Sequence, residues 1–421
     1  MLNINLKTIS TVIQSSSLLD NDFFITGVGI DSRQDLNKKL FIAIKGENFD
    51  GHDFIDEAIG NGAIAVISEK DIESKVPVLK VSNSIKALGK IANWYRKSLD
   101  IRVIGITGSN GKTTTKNMLK NILSQSSSTF ATLGNLNNHI GVPLSLLSLT
   151  DSHKYAVIEM GANHVGEIDY LRKIAEPDIA IVTNTLDAHI GEFGGFENLV
   201  KTKGEIYSNQ STNIFNTSTS FSGDISFGEN ADINASDIQD KSFVLNTPKG
   251  SIDIKLSLEG RHNIDNALAS SACAFALDIK LEDIKHGLES TQPEKGRLQK
   301  HYIQDLDITL IDDTYNASPQ SMRAAIKTLS NFSGNKIAVL GPMAELGKDS
   351  EKYHQEIGDY AKENIDQIYS YGEQAKAYNI QHFDNLNDLY KTLTEQGKNS
   401  TILVKGSRFI KLDQLIEMFI K

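Results

Sequence analysis

The chain has 421 residues, 39% of them hydrophobic and 23% charged, which is ordinary for a globular protein and too long for one core, so about three domains are expected. Its net charge of −10, from 43 basic and 53 acidic residues without long like-charge runs, argues against nucleic acid as the main partner. A single cysteine, Cys273, excludes an internal disulfide. The start MLNINLKTIS lacks a signal-peptide profile and no apolar run nears membrane-spanning length, so a cytoplasmic protein without membrane insertion is expected.

Residues 1–82 read as a small α/β unit. Gly29-Ile30-Asp31-Ser32-Arg33 precedes a strand over Leu40–Ile44, and the polar run Lys45 to His52 follows. A short helix over Asp56–Asn61 and a buried strand over Ala63–Ser68 come next. By composition the polar run is a turn. Ser32 and Arg33 could hold a phosphate or a carboxylate, as could many surface pairs.

A helix over Ile85–Leu99 presents Ala87, Leu88, Ile91, Ala92 and Tyr95 on one face and leads to the most informative stretch. Val103, Ile104 and Ile106 form an apolar β-branched strand, Gly108-Ser109-Asn110-Gly111 a glycine-rich turn, and Met118, Leu119, Ile122 and Leu123 recur at helical spacing. Strand, glycine loop and helix in that order make a cradle for a nucleoside triphosphate. The loop's N–H groups and the helix N-terminus favour phosphate oxygens. Gly108, Ser109, Asn110, Gly111, Lys112, Thr113 and Thr114 are the candidate phosphate residues, with Lys112 on the β/γ-phosphates and Thr113 on a magnesium ion. The loop is short, since Ile106 stands where the common pattern has its first glycine.

From here to about residue 290 strands and helices alternate, which predicts a mainly parallel sheet covered on both faces. The strand Ala156–Ile158 ends on Glu159. The strand Ile179–Thr183 runs into Asn184, Leu186, Asp187, Ala188 and His189. Both lie where an open α/β sheet places ligands, and an acidic residue closing a strand after such a loop often helps hold magnesium. Glu159 as a helix-capping carboxylate and His189 as a hydrogen-bonded loop histidine remain open alternatives. Residues 211–258 alternate over short stretches such as Ser251–Leu256, predicting small antiparallel strands appended to the main sheet. Gly260 to Ala267 opens a helix of small residues carrying Cys273, expected as a buried thiol, with Asn263 able to cap its first turn. Pro293–Arg297 reads as a linker.

The last portion begins with the strand Ile308–Ile311, which runs into Asp312–Pro319. A helix over Pro319–Ser330, the strand Ile337–Leu340, the loop Gly341–Gly347, a helix from Ser350 to Glu363, the strand Thr401–Val404, the turn Lys405–Arg408 and a final amphipathic helix follow. This is a second doubly wound domain without a phosphate loop. Two such domains facing each other make a cleft able to close over substrates.

Taken together these motifs resemble the Mur ligases, the ATP-dependent amide ligases of peptidoglycan precursor synthesis, over essentially the whole length. The likeness rests on Gly105–Lys116, Glu159-Met160-Gly161-Ala162, Asn184–His189, Lys201–Tyr207, Arg261–Asn266, Gly296-Arg297 and Asp313 in that order. Asp31-Ser32-Arg33, Lys45–His52, Gly134–Pro143, Asp313–Pro319 and Val404–Arg408 resemble the branch that adds D-alanyl-D-alanine to UDP-N-acetylmuramoyl-tripeptide. The resemblance implies three domains: a UDP-substrate domain over 1–82, an ATP-binding domain over 83–295 and a Rossmann-like ligase domain over 296–421.

It further implies ATP, two magnesium sites and an acyl-phosphate intermediate, in a protein expected as a monomer. Lys112, Glu159, His189 and Lys203 would be catalytic, with Thr113 and Glu159 on the first magnesium and His189 on the second. Lys203 matches a lysine that the family often carbamylates into a metal-binding carboxylate, with Lys201 the competing candidate. Asn263 and Asn266 would sit on the adenine side, and Arg297 and Asp313 would reach ATP from the last domain. Ser32, Arg33 and Lys45 are implied for the uridine diphosphate, Asn137 and Asn138 for the muramoyl peptide, Tyr315 and Asn316 for the dipeptide. One departure is Gly341-Pro342-Met343, where the family pattern leads one to expect an aspartate before the methionine. A folylpolyglutamate synthetase is a rival that generally lacks the first domain. A guanine-nucleotide switch would need an Asn-Lys-x-Asp sequence, which is absent.

Overall fold

The computed structural model describes residues 4–17, 23–46, 49–186, 193–344, 346–395 and 399–420. Its first unit is a four-stranded parallel sheet in the order Gly27–Gly29, Lys39–Ile42, Ala65–Ser68, Val78–Lys80. Alternate side chains of a strand point to opposite faces. Accordingly Leu40 and Ile42 pack with Leu6, Ile9 and the helix Ser84–Lys97, while Phe41 and Ala43 pack with Leu36, Ile55 and Ala58. The first of these clusters continues through Leu88 and Ile91 into Val103 and Val142. One apolar body thus joins the first sheet to the wall of the second.

The central sheet has six parallel strands in the order Ile225–Phe227, Thr212–Asn216, Ile179–Val182, Arg102–Thr107, Tyr155–Glu159, Thr129–Ala131. Val103 to Thr107 are all buried, as a strand covered on both faces requires. The register places Ile106 opposite Glu159 and Thr107 opposite Val182. Three strand ends therefore finish level, and their loops share one edge. Helix Lys112–Leu123 buries Met118, Leu119, Ile122 and Leu123 against the helices His262–Ala276 and Leu281–Glu289. Cys273 lies in that core, fully buried, as expected.

The segment 211–258 departs from expectation. Its first two strands extend the main sheet in parallel, and Asn234–Ser236, Ser242–Thr247 and Gly250–Lys255 form a separate antiparallel sheet. The alternation of Ile252 and Ile254 with polar residues can bury only one face. That face finds cover on helix Leu281–Glu289, whereas the main sheet is covered on both sides.

The last sheet has the order Gln299–Ile303, Ile308–Asp313, Ser400–Lys405, Asn335–Leu340, Gln367–Tyr371, Gln381–Phe383, parallel except for its first, antiparallel edge strand. Helices Pro319–Ser330 and Ser350–Asn364 cover one face, and Leu386–Thr394 and Asp413–Ile420 the other. The linker is fastened rather than free. Gly296, at φ +77°, donates its N–H to the buried Asp312 (3.1 Å) and accepts from the Tyr315 N–H (3.0 Å). Among the described residues no helix is long and apolar enough to cross a membrane.

Candidate functional site

The level strand ends of the central sheet, the first turn of helix His262–Ala276 and the start of the last domain enclose a cavity of about 1160 Å³. The glycine loop forms one wall. Gly108 has φ +145° and Gly111 φ +79°, and a Cβ at these positions would lie 2.0 Å from Thr183 Oγ1 and 2.2 Å from Asn266 Oδ1. Only glycine allows both the left-handed backbone and the close approach. The segment after strand Ile179–Val182 holds the loop from behind. Asn184 accepts from the Ser109 and Asn110 N–H groups (both 3.0 Å), and Thr183 Oγ1 donates to the Asn110 carbonyl (2.7 Å). The Lys112 ammonium folds over the loop, donating to the carbonyls of Gly108 (2.7 Å) and Ser109 (3.0 Å). Burial lowers its pKa, Arg297 adds to the effect and Glu159 opposes it.

Glu159, 2% exposed, faces the cavity from the neighbouring strand. Its Oε1 accepts from Asn137 Nδ2 at 2.8 Å, and its backbone N–H donates to Thr132 Oγ1 at 3.0 Å. Among the described residues its Oε2 has no hydrogen-bond partner, and the Lys116 ammonium stands 3.7 Å away. A buried oxygen left unpartnered is costly unless a ligand completes it. Together with Thr113 Oγ1 on the same cavity it fits a divalent cation beside a polyphosphate. Thr113 already accepts from Arg297 Nη2 at 3.2 Å, a bond that crosses the linker.

Lys203 comes from helix Phe196–Gly204 and is 3% exposed. Its ammonium lies 3.5 Å from the Ala162 carbonyl and 5.0 Å from the Phe193 ring centre. Burial, reinforced by the charge of Lys112, pulls its pKa from 10.5 to about 7. Lys201, two residues earlier, is exposed and does not line the cavity. Glu205 fastens this helix to the next wall by accepting from the N–H groups of Gly166 (2.8 Å) and Asp169 (3.1 Å) at the start of helix Glu167–Ala175.

Asn263 and Asn266 are buried at the cavity's other end. Asn266 Nδ2 donates to Asn263 Oδ1 (3.0 Å), and Asn263 Nδ2 to the Glu259 carbonyl (2.6 Å). From the last domain, Arg297 stacks 4.2 Å above the Tyr315 ring, and the Lys405 ammonium pairs with Asp313 (2.7 Å) and donates to the Asn316 carbonyl (2.8 Å). Both members of the Lys405–Asp313 pair are largely buried.

Three family models match successive parts of the chain: "Mur ligase family, catalytic domain" over residues 24–96, "Mur ligase middle domain" over 106–274 and "Mur ligase, glutamate ligase domain" over 296–408. The chain belongs to the Mur ligase family. A UDP-N-acetylmuramoyl-tripeptide–D-alanyl-D-alanine ligase of Buchnera aphidicola subsp. Acyrthosiphon pisum is 40% identical to it, with 100% of this chain and 99% of that protein covered. The structure of MurF from Acinetobacter baumannii superposes with a TM-score of 0.92 at 37% identity, covering 100% of this chain and 99% of that one. MurF from Thermotoga maritima, solved with ADP, does so at 0.84 and 31%, covering 93% and 96%. The three-domain α/β architecture expected from the sequence is the one these Mur ligases have.

Within this Mur ligase the cavity unites most of the residues singled out from sequence: Ser109 to Thr114, Asn137, Asn138, Glu159, Lys203, Asn263, Asn266, Arg297, Asp313, Tyr315 and Asn316. Gly108 shapes the loop without lining the cavity. Ser32, Arg33 and Lys45 lie in the first unit, outside it. Ser32 donates to Glu57 (2.6 Å), and Arg33, 80% exposed, grips Asp31 with two bonds of 2.8 Å. Those bonds hold the Asp31 carboxyl down at about 2. His189 lies outside the described residues. Asn138 has its Oδ1 on the N–H groups of Ile140 and Gly141, at the entrance to helix Gly141–Leu147. The loop Gly341–Met343, where an aspartate was expected, packs on the turn at Gly406, and its Met343 N–H donates to the buried His354 (3.0 Å). Sequence reasoning passed over Lys116, Glu205 and the Lys405–Asp313 pair. Lys116 did leave a signal, because it stands one helical turn after Lys112 and so on the same face.

Proposed function

We propose that this Mur ligase joins D-alanyl-D-alanine to UDP-N-acetylmuramoyl-tripeptide at the expense of ATP, in the cytoplasmic assembly of peptidoglycan precursors. Full-length likeness to proteins named for that reaction supports the substrates. The observation that carries the chemistry is one cavity in which a phosphate loop, a buried acid and a depressed-pKa lysine face the arginine and lysine of a second domain.

A carboxylate resists amines because its leaving group would be oxide. Attack by the tripeptide carboxylate oxygen on the γ-phosphorus releases ADP and gives an acyl phosphate. The dipeptide amine then adds to the acyl carbon, loses a proton, and inorganic phosphate departs as the amide forms. Such transfers depend on positioning and charge neutralisation. Lys112 would bind the β/γ-phosphates, and Arg297 would meet the transferring phosphoryl group from the far domain. Asn263 and Asn266 would border the adenine, with Asp313 on the ATP side of the last domain. Tyr315 and Asn316 would border the dipeptide, Asn137 and Asn138 the muramoyl peptide, and Ser32, Arg33 and Lys45 the uridine diphosphate.

Thr113 and Glu159 would hold one magnesium ion, with His189 on a second. Bound magnesium supplies charge neutralisation at the phosphoryl oxygens. The Lys203 amine, half neutral near pH 7, can add carbon dioxide and lose a proton to become a carbamate, whose negative charge Lys112 would offset. The test offers UDP-muramoyl-tripeptide, D-alanyl-D-alanine and ATP and measures phosphate release with each omitted in turn. Release should need all three; release that ignores the dipeptide overturns the proposal.

A further inference from the structure

The arrangement around Glu159 separates its two oxygens in an unequal way. Oε1 is tied to Asn137, whereas among the described residues Oε2 has no hydrogen-bond partner, the Lys116 ammonium standing 3.7 Å away. That separation is beyond a hydrogen bond, and the ammonium cannot close it freely. Lys116, 2% exposed, donates to the Thr132 carbonyl at 2.8 Å, while the Thr132 hydroxyl accepts from the Glu159 N–H at 3.0 Å. One residue thus anchors both members of the pair and fixes the gap between them. The Glu159 lone pairs stay open to the cavity, but the carboxylate's charge is already matched.

Two further cations stand near this carboxylate. Lys112 lies over the loop and Arg297 sits on Thr113 Oγ1, with Glu294 paired to that guanidinium. A hydrated divalent ion entering alone would meet the Lys112 ammonium beside a carboxylate whose charge Lys116 already matches. Entering with a polyphosphate, it would bring several negative charges with it, and the same cations would then attract the complex.

We propose that Lys116 is a positioning and gating residue: it holds Glu159 aimed at the metal position while denying that carboxylate to a free divalent cation, so that metal enters only with the nucleotide. This rests on the reading of Glu159 as a metal ligand. It predicts an obligatory pairing of metal and nucleotide that is built into the protein rather than imposed by solution chemistry.

The probe is Mn²⁺, followed by its paramagnetic resonance signal in titrations of the full chain with and without ADP. The wild type should bind Mn²⁺ with ADP and at least about tenfold more weakly without it. Lys116→Met, which keeps most of the side chain's length and removes its charge, should gain ADP-independent Mn²⁺ binding by about tenfold or more. Lys116→Arg, charged but misfitting, should remain closed to free Mn²⁺, which a loss of packing alone does not predict. Equal Mn²⁺ affinity with and without ADP in the wild type overturns the proposal, and this arm needs no variant to fold. So does a folded Lys116→Met that behaves as the wild type. Absence of any Mn²⁺ binding even with ADP, or its persistence unchanged in Glu159→Gln, instead removes the metal-ligand reading beneath it.

Discussion

Lys203→Met separates the stability of this protein from its chemistry. The lysine is 3% exposed, and burial with the nearby Lys112 charge pulls its pKa from 10.5 to about 7. The folded value lies below the unfolded one, so the unfolded chain binds more protons between those limits. Stability therefore rises as pH rises from about 7 toward 10.5, and the penalty is fullest below 7. One unit corresponds to about 1.36 kcal/mol. A shift of about 3.5 units makes the buried ammonium cost up to about 5 kcal/mol at low pH. From pH 7 to pH 9 the wild type should recover roughly 2 kcal/mol of this, while the methionine variant, without the titrating group, recovers none.

Trp94, the chain's single tryptophan, packs on the core that also holds Ile206 and Ala180, so its fluorescence reports this unit. Urea unfolding in carbon dioxide-free buffer at pH 7, 8 and 9 gives the difference between the two proteins, in which other titrations cancel. Lys203→Met should be the more stable at pH 7, its lead shrinking by about 2 kcal/mol at pH 9, and it should lack turnover. A difference that does not vary with pH refutes the buried-ammonium reasoning.

Gly111→Ala places a Cβ at φ +79° and 2.2 Å from Asn266 Oδ1. Left-handed strain and the displaced amide together should cost about 2–3 kcal/mol, weakening ADP binding roughly 30- to 150-fold by calorimetry; unchanged affinity would show that the loop does not need this geometry. Lys405→Met leaves Asp313 as an unpaired, largely buried charge, so the last domain should lose about 3 kcal/mol by denaturant unfolding. Adding Asp313→Asn should recover much of that loss, and strictly additive losses would deny the pair.

The glycine loop was legible because its cause is local. A strand covered on both faces needs an apolar run, and the left-handed turn that follows needs glycine; both are written in consecutive residues. The level ends of three strands made Glu159 legible for the same reason, since a buried run that stops on an acid marks a strand end. The choice between Lys201 and Lys203 was not local. Two residues apart on a helix point to different sides, and only the packing of that helix on the loop at Ala162 decides which one is buried. Lys116 was hidden more deeply, because a lysine inside a helix ordinarily keeps its charge in water. Only Thr132, just past the strand Thr129–Ala131, turns it into the partner of a buried acid. The alternating stretch Ser251–Leu256 announced a one-faced strand but not its cover, which lies on a helix some thirty residues onward.

The bond from Arg297 to Thr113 ties these features into a constraint on the working cycle. Thr113 Oγ1 accepts from the guanidinium at 3.2 Å, and that guanidinium is braced by the Tyr315 ring and by Glu294. If Thr113 ligates a divalent ion, two positive groups cannot share its oxygen without strong repulsion in a partly dehydrated cavity. The guanidinium must then leave the hydroxyl, and the nearest compensating charge is the polyphosphate bound with the ion. Because Arg297 ends a linker fastened to Asp312 and Tyr315, its movement is coupled to that of the last domain. The same residue that bridges the two domains at the glycine loop would thus be drawn onto the phosphates when nucleotide and metal arrive together.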